Sequence, residues 1–316
     1  QTKPGEEIQL EILRDGNPQT LTATLSWRPL EVVRPERLGK PASDPDGEPT
    51  DPMSFLFSLE RRDDAARDRR RPEETREIPG QELAAVDWTA ERVDAAAVRF
   101  RRQLGGGLAV VKEYRLLAGK AGEGSGSHLE LIVTLEAEAD GTTVTYALDG
   151  PTGLPTEGWW YASRISRSWG SLGVRDMAMR FAGEPSQVIS SLTLTEENAE
   201  ITGSAVLEEK PLSFAGVDAL YFAAALLPDA EGDRAPRLDE VRPLIVGEFE
   251  DSAHRKLTNV SCRLISRPVE LKAGSPVSHR YEIFAGPKQP AVLEAFGIPG
   301  SSMSDLVYYG WFGWVA

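Results

Sequence analysis

Short apolar segments, most alternating with polar residues and stopped after a few positions by Gly, Pro, Asn or Asp, run through most of this chain, and that pattern restricts it to a β-rich fold. Ile8, Leu10 and Ile12 alternate with polar neighbours, which places them on one face of a strand. Arg14-Asp15-Gly16-Asn17 reads as a turn and residues 21–25 as the returning strand, together a hairpin. Strands are expected at residues 53–59, 98–104 and 108–117. Leu129, Leu131, Val133 and Leu135 mark another, and Val144, Tyr146 and Leu148 one more, stopped by Asp149-Gly150-Pro151. Residues 188–194 and 201–207 read as a pair joined across Glu196-Glu197-Asn198. Residues 244–249, the Val260-Cys262-Leu264 alternation and residues 280–284 complete the series. Regular short strands in a chain of 316 residues with 29 Gly and 22 Pro predict a mainly β fold, a large antiparallel sandwich.

Helix signals are few. Pro290 suits a first helical position and Gly297 the place just past a helix end. Val292, Leu293 and Phe296 share one face between them, so a short helix is expected there. Val217, Leu220, Tyr221 and Ala224 also have helical spacing, yet residues 221–227 read equally well as a buried strand, and periodicity alone does not separate the two. Residues 35–51 are rich in Pro, Asp and Gly and read as a linker. Residues 60–77 mix Arg with Glu and Asp into a nearly neutral run, read as a solvated loop.

Charge and cysteine usage exclude several function classes. A formal net charge of -14 repels phosphate backbones and anionic head groups, so no nucleic-acid partner is expected. A single cysteine, Cys262, permits neither an intrachain disulfide nor a thiolate metal cage. No stretch reaches the ~20 apolar residues of a membrane helix. The start at Gln1 without Met, and the abrupt aromatic end, are read as a chain cut from a longer one.

No catalytic, cofactor or metal site is expected. His128, His254 and His279 are far apart in sequence, and none is expected to meet a carboxylate in a cleft. Gly105-Gly106-Gly107 lacks the Lys-Ser/Thr of a phosphate loop. Gly122-Glu123-Gly124-Ser125-Gly126-Ser127 precedes a strand rather than a helix, and is read as a hairpin connection. The last segment is the most informative. Tyr309, Trp311, Phe312 and Trp314 crowd the end of the chain. Such residues favour a membrane–water interface, although a buried terminal element has the same composition.

Tyr309-Gly310-Trp311-Phe312, some way after Phe284-Ala285-Gly286-Pro287-Lys288 and a helix carrying Leu293, resembles the end of the periplasmic domain of the YidC-type membrane protein insertases. Pro52-Met53-Ser54-Phe55-Leu56, Val86-Asp87-Trp88, Val98-Arg99-Phe100 and residues 111–116 are similar to that family's early strands. Residues 214–217, residues 221–228 and Pro268-Val269-Glu270-Leu271-Lys272-Ala273-Gly274 resemble later ones. The family usually has Trp where this chain has Phe214, and residues 60–77 have no family counterpart. Residues 3–16 look like the closing strands of a PDZ domain, without its carboxylate-gripping loop.

The resemblance implies a β-supersandwich related in shape to galactose mutarotases. It also implies a non-enzymatic scaffold on the periplasmic face of the bacterial inner membrane, part of a multi-pass protein. The implied partners are SecF, SecD and SecYEG of the Sec translocon, nascent membrane proteins, and the membrane surface at the C-terminal end. The expected organisation is a PDZ-like hairpin at 1–34, a linker at 35–51, the supersandwich at 52–305 and the start of an interfacial segment at 306–316. In it Tyr309, Trp311, Phe312 and Trp314 would meet the membrane. The rival expectation is a sugar-binding or mutarotase-like β-sandwich.

Overall fold

The computed structural model describes residues 6–14, 17–24, 53–60, 77–78, 80–83, 86–117, 128–154, 172–195, 205–206, 210–246 and 255–307. The chain divides into two units, residues 1–35 and 36–316. The first is a hairpin of β1 (Glu7–Arg14) and β2 (Asn17–Thr24), in register from Glu7 opposite Thr24 to Arg14 opposite Asn17.

The second unit holds two large antiparallel sheets. Its strands are β3 (Phe57–Glu60), β4 (Thr89–Arg92), β5 (Ala97–Gln103), β6 (Leu108–Leu116), β7 (His128–Ala137), β8 (Thr142–Asp149), β9 (Arg175–Phe181) and β10 (Gln187–Ile189). There follow β11 (Ala205–Val206), β12 (Leu212–Ala219), β13 (Phe222–Pro228), β14 (Leu238–Val246), β15 (Asn259–Ser266), β16 (Val269–Leu271) and β17 (Val277–Pro287). Nine of them form one sheet in the order β10-β9-β12-β13-β17-β7-β6-β5-β4. The second sheet runs β11-β14-β15-β8-β16, with β3 also on β8.

Alternation explains the core. On β7, Leu131, Val133 and Leu135 point one way and are buried, as are Tyr281 and Ile283 of β17 and Met177 and Met179 of β9. They pack in one cluster with Phe57, Leu59, Tyr146, Leu148, Cys262 and Leu264 of the smaller sheet. Each such side chain contributes about 1.5–3 kcal/mol by leaving water. The mainly β antiparallel sandwich read from the sequence is therefore the fold. Within that core Tyr146 Oη lies 2.7 Å from both His279 Nδ1 and Tyr281 Oη, so the polar atoms of three buried residues satisfy one another.

One local expectation is corrected and one open reading is resolved. The described residues of 188–194 and 201–207 do not pair with each other. β10 lies on β9 and β11 on β14, and residues 191–194 form the short helix α1 (Ser191–Leu194). Ser190 Oγ accepts from Leu192 N at 3.2 Å, and Thr195 Oγ1 donates back to Ser191 O at 2.8 Å. These local side-chain bonds turn the backbone out of the extended form. Of the two readings left open around residues 221–227, the strand is the one formed: β13 (Phe222–Pro228) sits between β12 and β17 and is covered on both faces. The linker at 35–51, nearly all of the charged run at 60–77 and the glycine-rich 122–127 lie outside the described residues.

Candidate functional site

The outward face of the nine-stranded sheet differs from its inward face. Across β9, β12, β13 and β17 it presents Ala178, Phe214, Ala223, Ala225, Leu227 and Phe284. The alanines leave a shallow trough, and the chain's own C-terminal segment fills it with Leu293, Phe296, Met303 and Leu306.

Local sequence builds this segment. Pro290, with its preset φ, starts the helix α2 (Pro290–Leu293). Leu293 N donates to Gln289 O and Glu294 N to Pro290 O. Gly297, beyond the helix end at Leu293, has φ 111, a conformation open to glycine. A Cβ there would also lie 2.7 Å from Ser213 Oγ. The small hairpin β18 (Gly297–Ile298) and β19 (Ser301–Ser302) follows, turning through Pro299 and Gly300, and Met303 N closes onto Phe296 O at 2.8 Å.

Polar contacts clamp the same segment to β9 and β12. Arg180 donates through Nε to Glu184 O at 2.7 Å, through Nη1 to Ser302 O at 2.8 Å and through Nη2 to Gly300 O at 3.4 Å. Ser213 Oγ accepts from Ile298 N and donates to Ser301 O. Gly183 N donates to Ser301 Oγ, and Ser186 N to Asp305 Oδ2 at 2.6 Å. Glu294 Oε2 accepts from Ser304 Oγ at 2.5 Å and Ser302 Oγ at 2.9 Å. Those bonds, the one from Ser304 first, lower the Glu294 pKa. Residues 290–307 are thus a strap held by an apolar layer and a hydrogen-bonded rim.

Beside the strap lies one of the histidines. His128 Nε2 is 3.7 Å from Glu282 Oε1, a histidine near a carboxylate but buried rather than facing an open cleft. His128 stands opposite Phe284 on β17, so Glu282 is its diagonal neighbour across the ladder, within reach of long side chains. The separation is longer than a hydrogen bond. Phe296 covers the imidazole edge-on, with ring centroids 5.3 Å apart, and the residue is buried. His279 meets Tyr146 rather than a carboxylate. His254 lies outside the described residues, as do Tyr309, Trp311, Phe312 and Trp314. The strap ends at Val307, just ahead of those four aromatic residues. Its start was legible from Pro290. Arg180, Ser186 and Ser213 come from parts of the chain distant in sequence and carried no local signal.

Among the described residues no cluster of His, Cys, Asp and Glu is arranged to hold a metal ion. No helix among them is long and apolar enough to cross a membrane.

Residues 120–316 match the model of the YidC periplasmic domain family. No curated protein sequence matches the chain. Among solved structures it is similar to the mutarotase-like protein YeaD of Salmonella typhimurium, at 10% identity and a TM-score of 0.35. The likeness covers 65% of this chain and 66% of that one.

Proposed function

Because the chain belongs to the YidC periplasmic domain family, we propose that it is the non-catalytic scaffold of a YidC-type membrane protein insertase. In this reading it stands on the periplasmic face of the inner membrane and supports insertion and folding of membrane proteins with or without the Sec translocon. The observation that carries the reading is the strap. A segment seated by Leu293, Phe296, Met303 and Leu306 and tied down by Arg180 fixes the direction in which the chain leaves Val307. Tyr309, Trp311, Phe312 and Trp314 then start an interfacial segment, aromatic rings at the head-group level. SecF, SecD, SecYEG and nascent membrane proteins are the partners that fit this placement.

Liposome flotation of the full-length protein's soluble fragment extended past Ala316 tests the membrane role. Trp311→Ser with Trp314→Ser is expected to reduce membrane association, and unchanged association refutes it. Complementation of insertase depletion by the full-length protein tests the scaffold role. Arg180→Met is expected to impair insertion at normal protein level, and full insertion by this variant refutes the strap's part in it.

The sugar-binding, mutarotase-like alternative has the His128–Glu282 approach in its favour. Acid–base work on a sugar needs that pair open to substrate, and Phe296 lies over the imidazole. The purified domain is expected not to accelerate anomer interconversion. Acceleration that His128→Gln abolishes would establish the alternative.

A further inference from the structure

The inward face of the nine-stranded sheet carries an unusual lysine on the flank formed by β4, β5 and β6. This flank lies ahead of the residues 120–316 that match the family. Val98 and Phe100 of β5 stand opposite Tyr114 and Lys112 of β6, and strand alternation puts Leu116 on the same face. Lys112 Nζ donates to Phe55 O at 3.2 Å and sits 4.7 Å from the centre of the Trp88 ring. Phe55 holds its carbonyl there from a left-handed backbone, φ 60, which is rare for a bulky residue. Its ring lies 6.4 Å from Tyr114, which meets Phe100 edge-on at 6.0 Å. Trp88 is fixed in turn by Nε1 donating to Leu83 O at 3.0 Å.

Among the described residues Lys112 forms no ion pair, although the protein has 49 acidic residues against 35 basic ones. Lys112 is half-buried, and its ammonium points into an aromatic setting rather than to a carboxylate. Burial brings its pKa down to about 8. An ammonium has three donors, and one backbone carbonyl with one ring face does not exhaust them. Next to this cation the surface turns apolar and open. Val98 is 37% exposed and Leu116 56%, on either side of the half-buried Tyr114. Contiguous exposed apolar surface marks interaction sites.

We propose that the β4–β6 flank docks a peptide segment of a partner protein that carries a carboxylate between apolar side chains. The carboxylate pairs with Lys112 Nζ, and the apolar side chains cover Val98, Tyr114 and Leu116. Charge complementarity selects this occupant: a half-buried cation inside an aromatic rim, on an acidic protein, is completed by an anion with apolar neighbours. The site is independent of the strap and of the membrane role, and it stands if either of those readings fails.

The test is a titration of the isotope-labelled 316-residue chain, followed by NMR, with the peptide Ac-Leu-Phe-Asp-Leu-Phe-NH2 and its Asn counterpart. The Asp peptide is expected to shift amides of β5 and β6 and the Trp88 indole. It should bind about ten-fold tighter than the Asn peptide and raise the Lys112 amine pKa. Lys112→Met should erase the preference, and Val98→Ser should weaken both peptides equally, with the far-ultraviolet dichroism of both variants unchanged. Equal affinity for the two peptides, shifts confined to other strands, or a preference that survives Lys112→Met overturns the proposal. Dodecanoate reproducing the Lys112 response where the Asp peptide gives none would assign the site to lipid carboxylates. Self-association lost in Leu116→Ser would assign it to a second copy of the chain. Either result also overturns the peptide assignment.

Discussion

Phe296→Ala measures how firmly the strap is held. Phe296 is fully buried, its ring centroid 4.7 Å from Phe284 and 5.3 Å from His128. It shares its layer with Leu293 and Met303. Removing a phenyl ring from such a site costs about 3–5 kcal/mol. The strap is tied to the sheet mostly through this layer and the Arg180 and Ser213 contacts, so the loss should fall on undocking of residues 290–307 before it reaches the inter-sheet core. At about 1.4 kcal/mol per ten-fold, opening of the strap becomes roughly two to three and a half powers of ten more frequent. Hydrogen exchange reads this directly, because the Glu294, Phe296 and Met303 amides are bonded within the strap. Their protection should fall by that factor, while the β7–β17 ladder keeps most of its own. Two results refute the reasoning. Less than a ten-fold change at those three amides means that Phe296 does not hold the strap. An equal loss in strap and ladder means that the strap is no separate unit.

Two further measurements address the core. His279 has its pKa lowered from 6.5 to about 4 by burial, so the unfolded chain takes up a proton near 6.5 that the fold does not. Its contribution is complete above about pH 6.5 and is lost as pH falls through about 4, a shift equivalent to about 3 kcal/mol. The urea-derived stability difference between wild type and His279→Gln should therefore shrink by about that amount between pH 7 and pH 4, and a constant difference refutes it. Gly150→Ala would place a Cβ 2.5 Å from Cys262 Sγ, an overpacking expected to cost about 1–3 kcal/mol in urea unfolding. Cys262→Ala in the same chain should recover part of it, and no recovery places the strain elsewhere.

How much of this was legible depends on what each strand touches. β7 alternates cleanly because only its inward face is in the inter-sheet core, so Leu131, Val133 and Leu135 were readable. β13 was ambiguous because Ala223 and Ala225 are covered by the strap while Leu226 faces the core. A strand buried on both faces loses the polar half of its pattern. β9 did carry the signal, Met177, Met179 and Phe181 alternating with Asp176, Ala178 and Arg180, and it was not among the strands expected. β4 is exposed along its length and has no apolar pattern to read. The clamp and the Lys112 setting were illegible for another reason. Arg180 reaches Ser302, and Lys112 reaches Phe55, across long stretches of chain, and each bond ends on a backbone carbonyl whose acceptor has no side-chain identity.

The outward face of the large sheet thus does two different things along its width. Over β5, β6, β7 and β17 it is a lattice of ion pairs, with Arg99 on Glu113 at 2.9 Å, Arg101 on Glu136 at 2.8 Å and Arg280 on Glu130. Pairs so placed are screened by solvent and contribute at most about 1 kcal/mol each. They keep that half wet rather than holding anything. Over β9 and β13 the same face has Ala178, Ala223 and Ala225 beside Phe214 of β12, and small side chains on a sheet let another backbone layer come close. The strap exploits this, and its rim bonds join it to β9, to the connection that follows β9, and to β12. The seating of residues 290–307 therefore follows from side-chain size on two of the strands, and not from the charge that dominates the composition. On that reasoning, Ala223→Leu or Ala225→Leu would lift the strap while leaving the sandwich beneath it in place.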